Sequence, residues 1–210
     1  MPSPELLLTF LATSAIFAFV PGPAMLYAAA QTMAGGRWYG LMASLGIYLG
    51  GCAHVIAAAT GLSVIFHATP MLYAAVKLLG AAYLVWLGLT LLRARASGDA
   101  AMTAVKPRSG RRAFIESVTV EVINPKAAIF YLAFLPQFVD ASAGLPLWVQ
   151  LVLLGAAANT VFSIADMIVV MLADAVTSML RRSDQAQRLV QRVGGAVLVG
   201  LGAHLAFQRS

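Results

Sequence analysis

Charge is what this sequence has least of. Asp, Glu, Lys and Arg make up only 10% of the 210 residues, against 60% hydrophobic, whereas a soluble domain carries about 25% charged residues. With a mean hydropathy of +0.84, the chain reads as an integral membrane protein. A single cysteine, Cys52, excludes an intramolecular disulfide and paired-thiol redox chemistry. The histidines His54, His67 and His204 fall on different elements with no Cys-x-x-Cys beside them, so neither a metal nor another cofactor is expected. No HExxH, phosphate-binding loop or nucleophile elbow occurs, which leaves enzymatic hydrolysis and ATP-driven pumping without support. The first apolar run has Glu5 but no Lys or Arg ahead of it and outlasts the roughly 7–15 residues of a signal-peptide core, so it is read as a mature span.

What is present begins with that run. No charge stands between Glu5 and Arg37, yet Pro21-Gly22-Pro23 sits inside. A span of about 20 residues crosses a bilayer, and two prolines around a glycine should break its helix. Backbone groups freed in lipid cost several kcal/mol, so the break must be buried in protein or face a wet cavity.

The remaining chain predicts an all-α, polytopic single domain over residues 1–210 with six spans. Repeat 1 covers about 4–92, with spans at Leu6–Ala34, Gly40–Phe66 and Met71–Leu92. A basic loop follows over 93–112, and repeat 2 covers about 113–208, with spans at Ala113–Pro136, Leu147–Leu172 and Val193–Phe207. In span 2, Gly46 and Gly50 form a small-residue face for close helix packing, and His54 lies one turn further on. Lys77, near the start of span 3, is expected to snorkel to the interface. Arg37, the cluster from Arg93 to Arg112, and Arg181, Arg182, Arg188 and Arg192 all fall on loops that six spans would put on one side. The positive-inside rule makes that side cytoplasmic and turns both termini outward. The net charge of +6 is thus a topology signal, and no nucleic-acid partner is expected.

Spans 1 and 4 hold equivalent places in a 3+3 arrangement, and each is interrupted, at Pro21–Pro23 and at Asn124-Pro125. Matched interruptions point to an inverted repeat with a central site. Asn124 suits an N-cap and Pro125 the first helical position, and Pro23 suits the same role in span 1. The restarting helix ends, Pro21, Gly22, Pro23, Ala24 and Met25 with Asn124, Pro125 and Lys126, offer amide donors to a carboxylate or phosphate. Lys126 either pairs with Glu121 or holds an anionic substrate group. Glu121 and Asp166 are intramembrane carboxylates and candidates for carrying a proton. Asn159, Ser163 and Asp166 stand at i, i+4 and i+7, a polar stripe that must face the bundle interior. His54 is either a proton relay or a packing residue. Tyr48, Tyr83, Trp86 and Trp148 read as packing or interfacial belt residues.

These motifs resemble the LysE/RhtB family of amino-acid exporters over nearly the full length. The matching pieces are Val20-Pro-Gly-Pro-Ala-Met25, Gly35-Gly-Arg37 with Gly40, Leu45-Gly-Ile-Tyr-Leu-Gly50 leading to His54, Lys77 to Gly88, and Asn124-Pro-Lys to Phe138. Two departures stand out: family members often carry an acidic residue where this chain has Gly51, and many carry Asn where it has Glu121. The resemblance implies a bacterial inner-membrane exporter of amino acids or similar small zwitterions, driven by protons. A passive channel on the same scaffold is the alternative, and a homo-oligomer is left open.

Overall fold

The computed structural model describes residues 3–62, 70–93, 109–140, 142–173, 175 and 184–207. The sequence readings made for His67, for Arg95, Lys106 and Arg108 of the basic cluster, and for Arg181 and Arg182 lie outside the described residues. Among the described residues the chain is helical throughout, with no strand. The helices are α1 (Pro4–Phe19), α2 (Pro23–Gly35), α3 (Arg37–Ala57), α4 (Pro70–Arg93), α5 (Gly110–Val122), α6 (Pro125–Ile129), α7 (Leu147–Met171) and α8 (Asp184–Phe207). A π-helical turn, Ala58–Leu62, extends α3. Beyond α6 the chain continues through a π-turn, Phe130–Phe134, and a 3₁₀ turn, Leu135–Phe138. Pro136 has no amide to donate four residues back, which is reason enough for a departure from α geometry there.

Among the described residues, three stretches are long and apolar enough to cross a membrane singly: Arg37–Gly61, Leu147–Met171 and Arg188–Phe207. Two bent pairs also qualify if each is one span: α1 with α2, bent by 51°, and Gly110–Val122 with Pro125–Phe138, bent by 44°. The outward surface is correspondingly apolar, with Leu8, Ile56, Leu79, Ile123 and Phe207 all exposed. Such a surface is at home only in a bilayer.

Both breaks follow from proline. A residue before proline is pushed out of the helical region into extended backbone. Val20 (φ −69°, ψ 120°), Gly22 (φ −129°, ψ 173°) and Asn124 (φ −70°, ψ 108°) each precede a proline and are extended. Pro23 and Pro125 then open the next helix at its first position, where a missing amide costs nothing. Between α2 and α3 the chain reverses at Gly36, whose φ of +87° favours glycine.

Glycine sets how closely the helices meet. A Cβ on Gly50 would lie 2.7 Å from Glu121 Cβ, and one on Gly46 would run into the Phe114 carbonyl, so α5 lies on the predicted small-residue face of α3. The order of these contacts, with Gly110 beside Trp38, makes α3 and α5 parallel, both starting from the face that carries Arg37, Arg111 and Arg112. Gly155 meets Val55, and Gly40 meets Val170, so α7 runs back to that same basic face. On the other side of the bundle α4 and α8 are antiparallel, with reciprocal approaches: a Cβ on Gly88 would sit 2.6 Å from the Gly195 carbonyl, and one on Gly195 2.7 Å from that of Gly88.

Three sequence expectations shift. Lys77 does not snorkel: its side chain is only 5% exposed. It lies one turn before Gly80 and Ala81, the face of α4 that packs on Ala133 and Gly202, and so points into the bundle. Arg188 and Arg192 are part of α8, which begins nine residues before the expected Val193. Arg111 and Arg112 likewise belong to α5, because Ser109 caps that helix by accepting from the Arg112 amide at 3.2 Å. The turn before α7 is fastened by buried Gln150, which donates to the Asp140 and Leu145 carbonyls at 2.8 and 2.9 Å. Within that turn, Ser142 donates from its amide and hydroxyl to the Asp140 carboxylate, holding that carboxyl below its ordinary range.

The glycine contacts predict a sharp contrast along α8. Gly195→Leu meets backbone that cannot yield and should cost about 3 kcal/mol, the upper end for overpacking. Gly200, with nothing within 4 Å of a Cβ, should accept Leu with little change. Thermal unfolding of the two variants in detergent measures the difference.

Candidate functional site

Both helix breaks open onto one cavity of about 40 Å³. Its polar lining is Glu121, Asn124 and Lys126 from the second break and Asn159, Ser163 and Asp166 from α7; Gly22, Ala24 and Met25 come from the first break. Of the residues singled out in the sequence, Pro21, Pro23, Pro125 and His54 do not line it. The prolines shape the chain behind the wall. Phe17, Ala18, Ile47, Tyr48, Ala127 and Phe162 complete the lining. Phe17, Ile47 and Phe162 carry no polar signature that would have marked them in the sequence, and Tyr48 had been read as a packing or belt residue.

Lys126 ties the breaks together. Its Nζ donates to the carbonyl of Val20, the last residue before Pro21, and stands 4.9 Å from the centre of the Phe17 ring. The side chain passes over Gly22, where a Cβ would lie 2.8 Å from Lys126 Cδ. Of the two expectations for Lys126, the pairing with Glu121 is not seen: among the described residues no ion pair joins Lys126 to Glu121 or Asp166. A carbonyl freed by Pro21 has claimed the ammonium instead, because an unpaired carbonyl in an apolar bundle is costly.

The second break is closed by its own side chains. Asn124 Oδ1 accepts from the Lys126 amide at 3.0 Å as a helix cap, while Asn124 Nδ2 donates to Glu121 Oε2 at 2.9 Å. The Glu121 carbonyl accepts from the Asn124 amide at 2.9 Å and from His54 Nε2 at 2.8 Å. His54 therefore carries its proton on Nε2 and holds the end of α5. Its ring stacks on Tyr131 at 5.7 Å, with 4° between planes.

Asn159 Nδ2 donates to the Tyr48 carbonyl at 3.0 Å. Its Oδ1 fills the space in front of Gly51, where any Cβ would collide with it. The departures at positions 51 and 121 are thus neighbours in space: Gly51 leaves room for Asn159, and Gly50 leaves room for Glu121. Glu121, Lys126 and Asp166 are 5%, 8% and 6% exposed. Ionised, they give the cavity one more negative than positive charge, a balance that a proton or a substrate ammonium group would neutralise. Apolar walls of Phe17, Met25, Ile47 and Phe162 surround these charges. A volume of this size holds a few water molecules, at about 10–15 Å³ each.

The cap at Asn124 gives a direct test. Asn124→Ala removes the bond to the Lys126 amide and the bond to Glu121, and should lower stability by about 1–2 kcal/mol. Asn124→Asp keeps the cap acceptor but sets a third carboxylate beside Glu121. It should recover stability as the pH is lowered and that carboxylate is protonated. Unfolding midpoints at two pH values separate the two effects.

Comparison with known proteins agrees with this architecture. The family model for the LysE type translocator matches residues 15–209. A leucine efflux protein of Klebsiella pneumoniae is 28% identical over 203 residues, covering 97% of this chain and 95% of that protein. A leucine efflux protein of Salmonella choleraesuis is 34% identical over 139 residues, 64% of each chain. An uncharacterized membrane protein of Vibrio cholerae is 28% identical over 202 residues. No solved structure matches significantly. With its family model covering all but the ends, and with proline-broken apolar helices around a buried charged cavity, the chain belongs to the LysE type translocators and is a multi-pass membrane protein.

Proposed function

We propose that this protein is a secondary exporter of amino acids with apolar side chains, working by alternating access and exchanging substrate for protons across a bacterial inner membrane. The observation that carries the reading is the meeting of two broken-helix ends, one ammonium and two carboxylates in a single buried cavity. A zwitterion presents the complementary charges: its carboxylate suits Lys126 and the amide end at Ala24–Met25, and its ammonium suits Glu121 or Asp166. The wall of Phe17, Met25, Ile47 and Phe162 suits an apolar side chain, in keeping with the leucine named for the relatives.

The order of events follows from what each group already holds. A substrate carboxylate must take Lys126 from the Val20 carbonyl. That frees the first break to bend, so cargo and conformation are linked through one ammonium. The net charge of −1 left by Glu121, Asp166 and Lys126 is satisfied by a proton in one half of the cycle and by a substrate ammonium in the other. One carboxylate that cannot hold both makes them compete, and competition of this kind gives antiport.

Six spans in a 3+3 inverted repeat complete the proposal. The 24-residue α4 is long enough to be the further span, at about 1.5 Å per residue. The packing supports the symmetry: α3 against α7 and α4 against α8 join equivalent spans, while α3 against α5 has its counterpart in α7 against α1. The basic face that carries Arg37, Arg111 and Arg112 is cytoplasmic on this reading, and both termini face outward.

Proteoliposomes preloaded with radiolabelled leucine test the function. With the membrane potential clamped, one proton per substrate and a one-unit pH gradient, acid on the receiving side, should support about a tenfold leucine gradient. Glu121→Gln or Asp166→Asn, whichever removes the proton carrier, should abolish that response while leucine–leucine exchange persists. Lys126→Met should abolish both. Flux that is unsaturable and indifferent to the pH gradient would instead establish a channel.

A further inference from the structure

One polar cluster takes no part in the steps above. On α2, Tyr27 donates its hydroxyl to Glu116 Oε2 of α5 at 2.9 Å, and Gln31 Nε2 donates to the Tyr27 oxygen at 2.8 Å. The other Glu116 oxygen accepts from Arg112 Nε at 2.5 Å. Gln31 is buried, whereas the Arg112 and Glu116 side chains are 52% and 40% exposed. The chain of bonds thus runs from the bundle interior out to the basic face.

Its position relative to the cavity is what gives it meaning. Ala24 and Met25 line the cavity and lie within the turn before Tyr27; Glu121 lines it five residues after Glu116. Between cavity and cluster, Ala24, Ala28, Ala43, Ile47 and Val170 pack tightly with Tyr27 and Val120. This apolar plug lies on the basic-face side of the cavity, and the polar cluster borders it through Tyr27. The two helices that the Tyr27–Glu116 bond joins are the half-helices lying on the basic-face side of the two breaks. Proline releases α2 from the backbone ladder of α1, so α2 can swing about its break, away from an α5 held at backbone contact on α3, without losing helical hydrogen bonds.

We propose that the Tyr27–Glu116 hydrogen bond is the latch that holds α2 and α5 together and keeps the cavity shut toward the basic face. Its release lets the two half-helices part and the plug open. Tyr27 and Glu116 act here as positioning residues and do not touch cargo. The latch is argued from the packing and the hydrogen bonds; its use in export rests on the function proposed above.

The test uses the full chain in lipid vesicles of both orientations, with Cys52→Ser and a reporter cysteine in the cavity wall, Ala24→Cys. A membrane-impermeant maleimide is applied to one face at a time. Tyr27→Phe keeps the ring in the plug and removes both bonds made by its hydroxyl. It should speed labelling from the basic face about tenfold, the factor for losing a hydrogen bond to a charged group, and leave labelling from the opposite face no faster. Glu116→Gln keeps an acceptor for Tyr27 and loses Arg112, so its effect should be smaller. The double variant should label no faster than Tyr27→Phe, because both changes act through one bond. An unchanged rate from the basic face, labelling absent from every variant, or an equal rise from both faces would overturn the latch. Lost leucine transport with the labelling result intact would instead reject the cargo and leave the latch standing.

Discussion

An interrupted backbone in an apolar medium has to find partners for the groups it frees, and most of what is distinctive here follows from that constraint. Two prolines and a glycine free the Val20 carbonyl at one break, and a residue from the other break, Lys126, satisfies it. The end of α5 is satisfied in turn by His54 and by the amide of Asn124. The breaks are therefore mutually supporting, and neither is complete without a side chain from elsewhere in the fold. Residues that look functional in a membrane helix are here first of all the means by which a broken helix survives. Of these residues, Lys126 and Asn124 are left at the wall of the cavity, where the proposed function would have them meet a substrate.

Around this centre the bundle has parts of different stiffness. The α4–α8 and α3–α5 pairs are joined through glycines at backbone contact, with no side-chain layer to rearrange. The two breaks, by contrast, are held by a few side-chain hydrogen bonds, from Lys126 at the first and from Asn124 and His54 at the second. Bending is cheapest where the backbone ladder is already absent, so the rigid pairs form a frame and the breaks form the joints. The aromatic cluster of Phe17, Phe130, Phe134 and Phe162 packs beside the cavity. The apolar plug and its polar cluster lie on the basic-face side.

Particular residues show how much was legible beforehand. Asn124-Pro125 announced a cap and a first helical position, and both roles are filled as expected, because capping depends on a handful of adjacent atoms. The Gly46/Gly50 face likewise found its neighbour, since a period of four residues fixes a helix face. The stripe of Asn159, Ser163 and Asp166 turned inward for the same reason. Lys77 went the other way: whether a long side chain climbs to the interface depends on what covers it, and that is set by α8 and the chain beyond α6. The partner of Lys126 was misjudged because Val20 lies 106 residues away. The link from Tyr27 to Glu116 was out of reach for the same reason, at a separation of 89 residues.

By itself the sequence determined that this chain lives in a membrane, where two of its helices break, and which helix faces are narrow enough for close packing. Each of these rests on local chemistry: hydropathy, the steric effect of proline on the residue before it, and the missing side chain of glycine. Only the tertiary structure decided that the two breaks share one cavity, that Lys126 bridges them, and that His54 ends a helix instead of lining the site. Those outcomes depend on which distant segment first satisfies a buried carbonyl or carboxylate, a contest settled by three-dimensional proximity that no local pattern encodes.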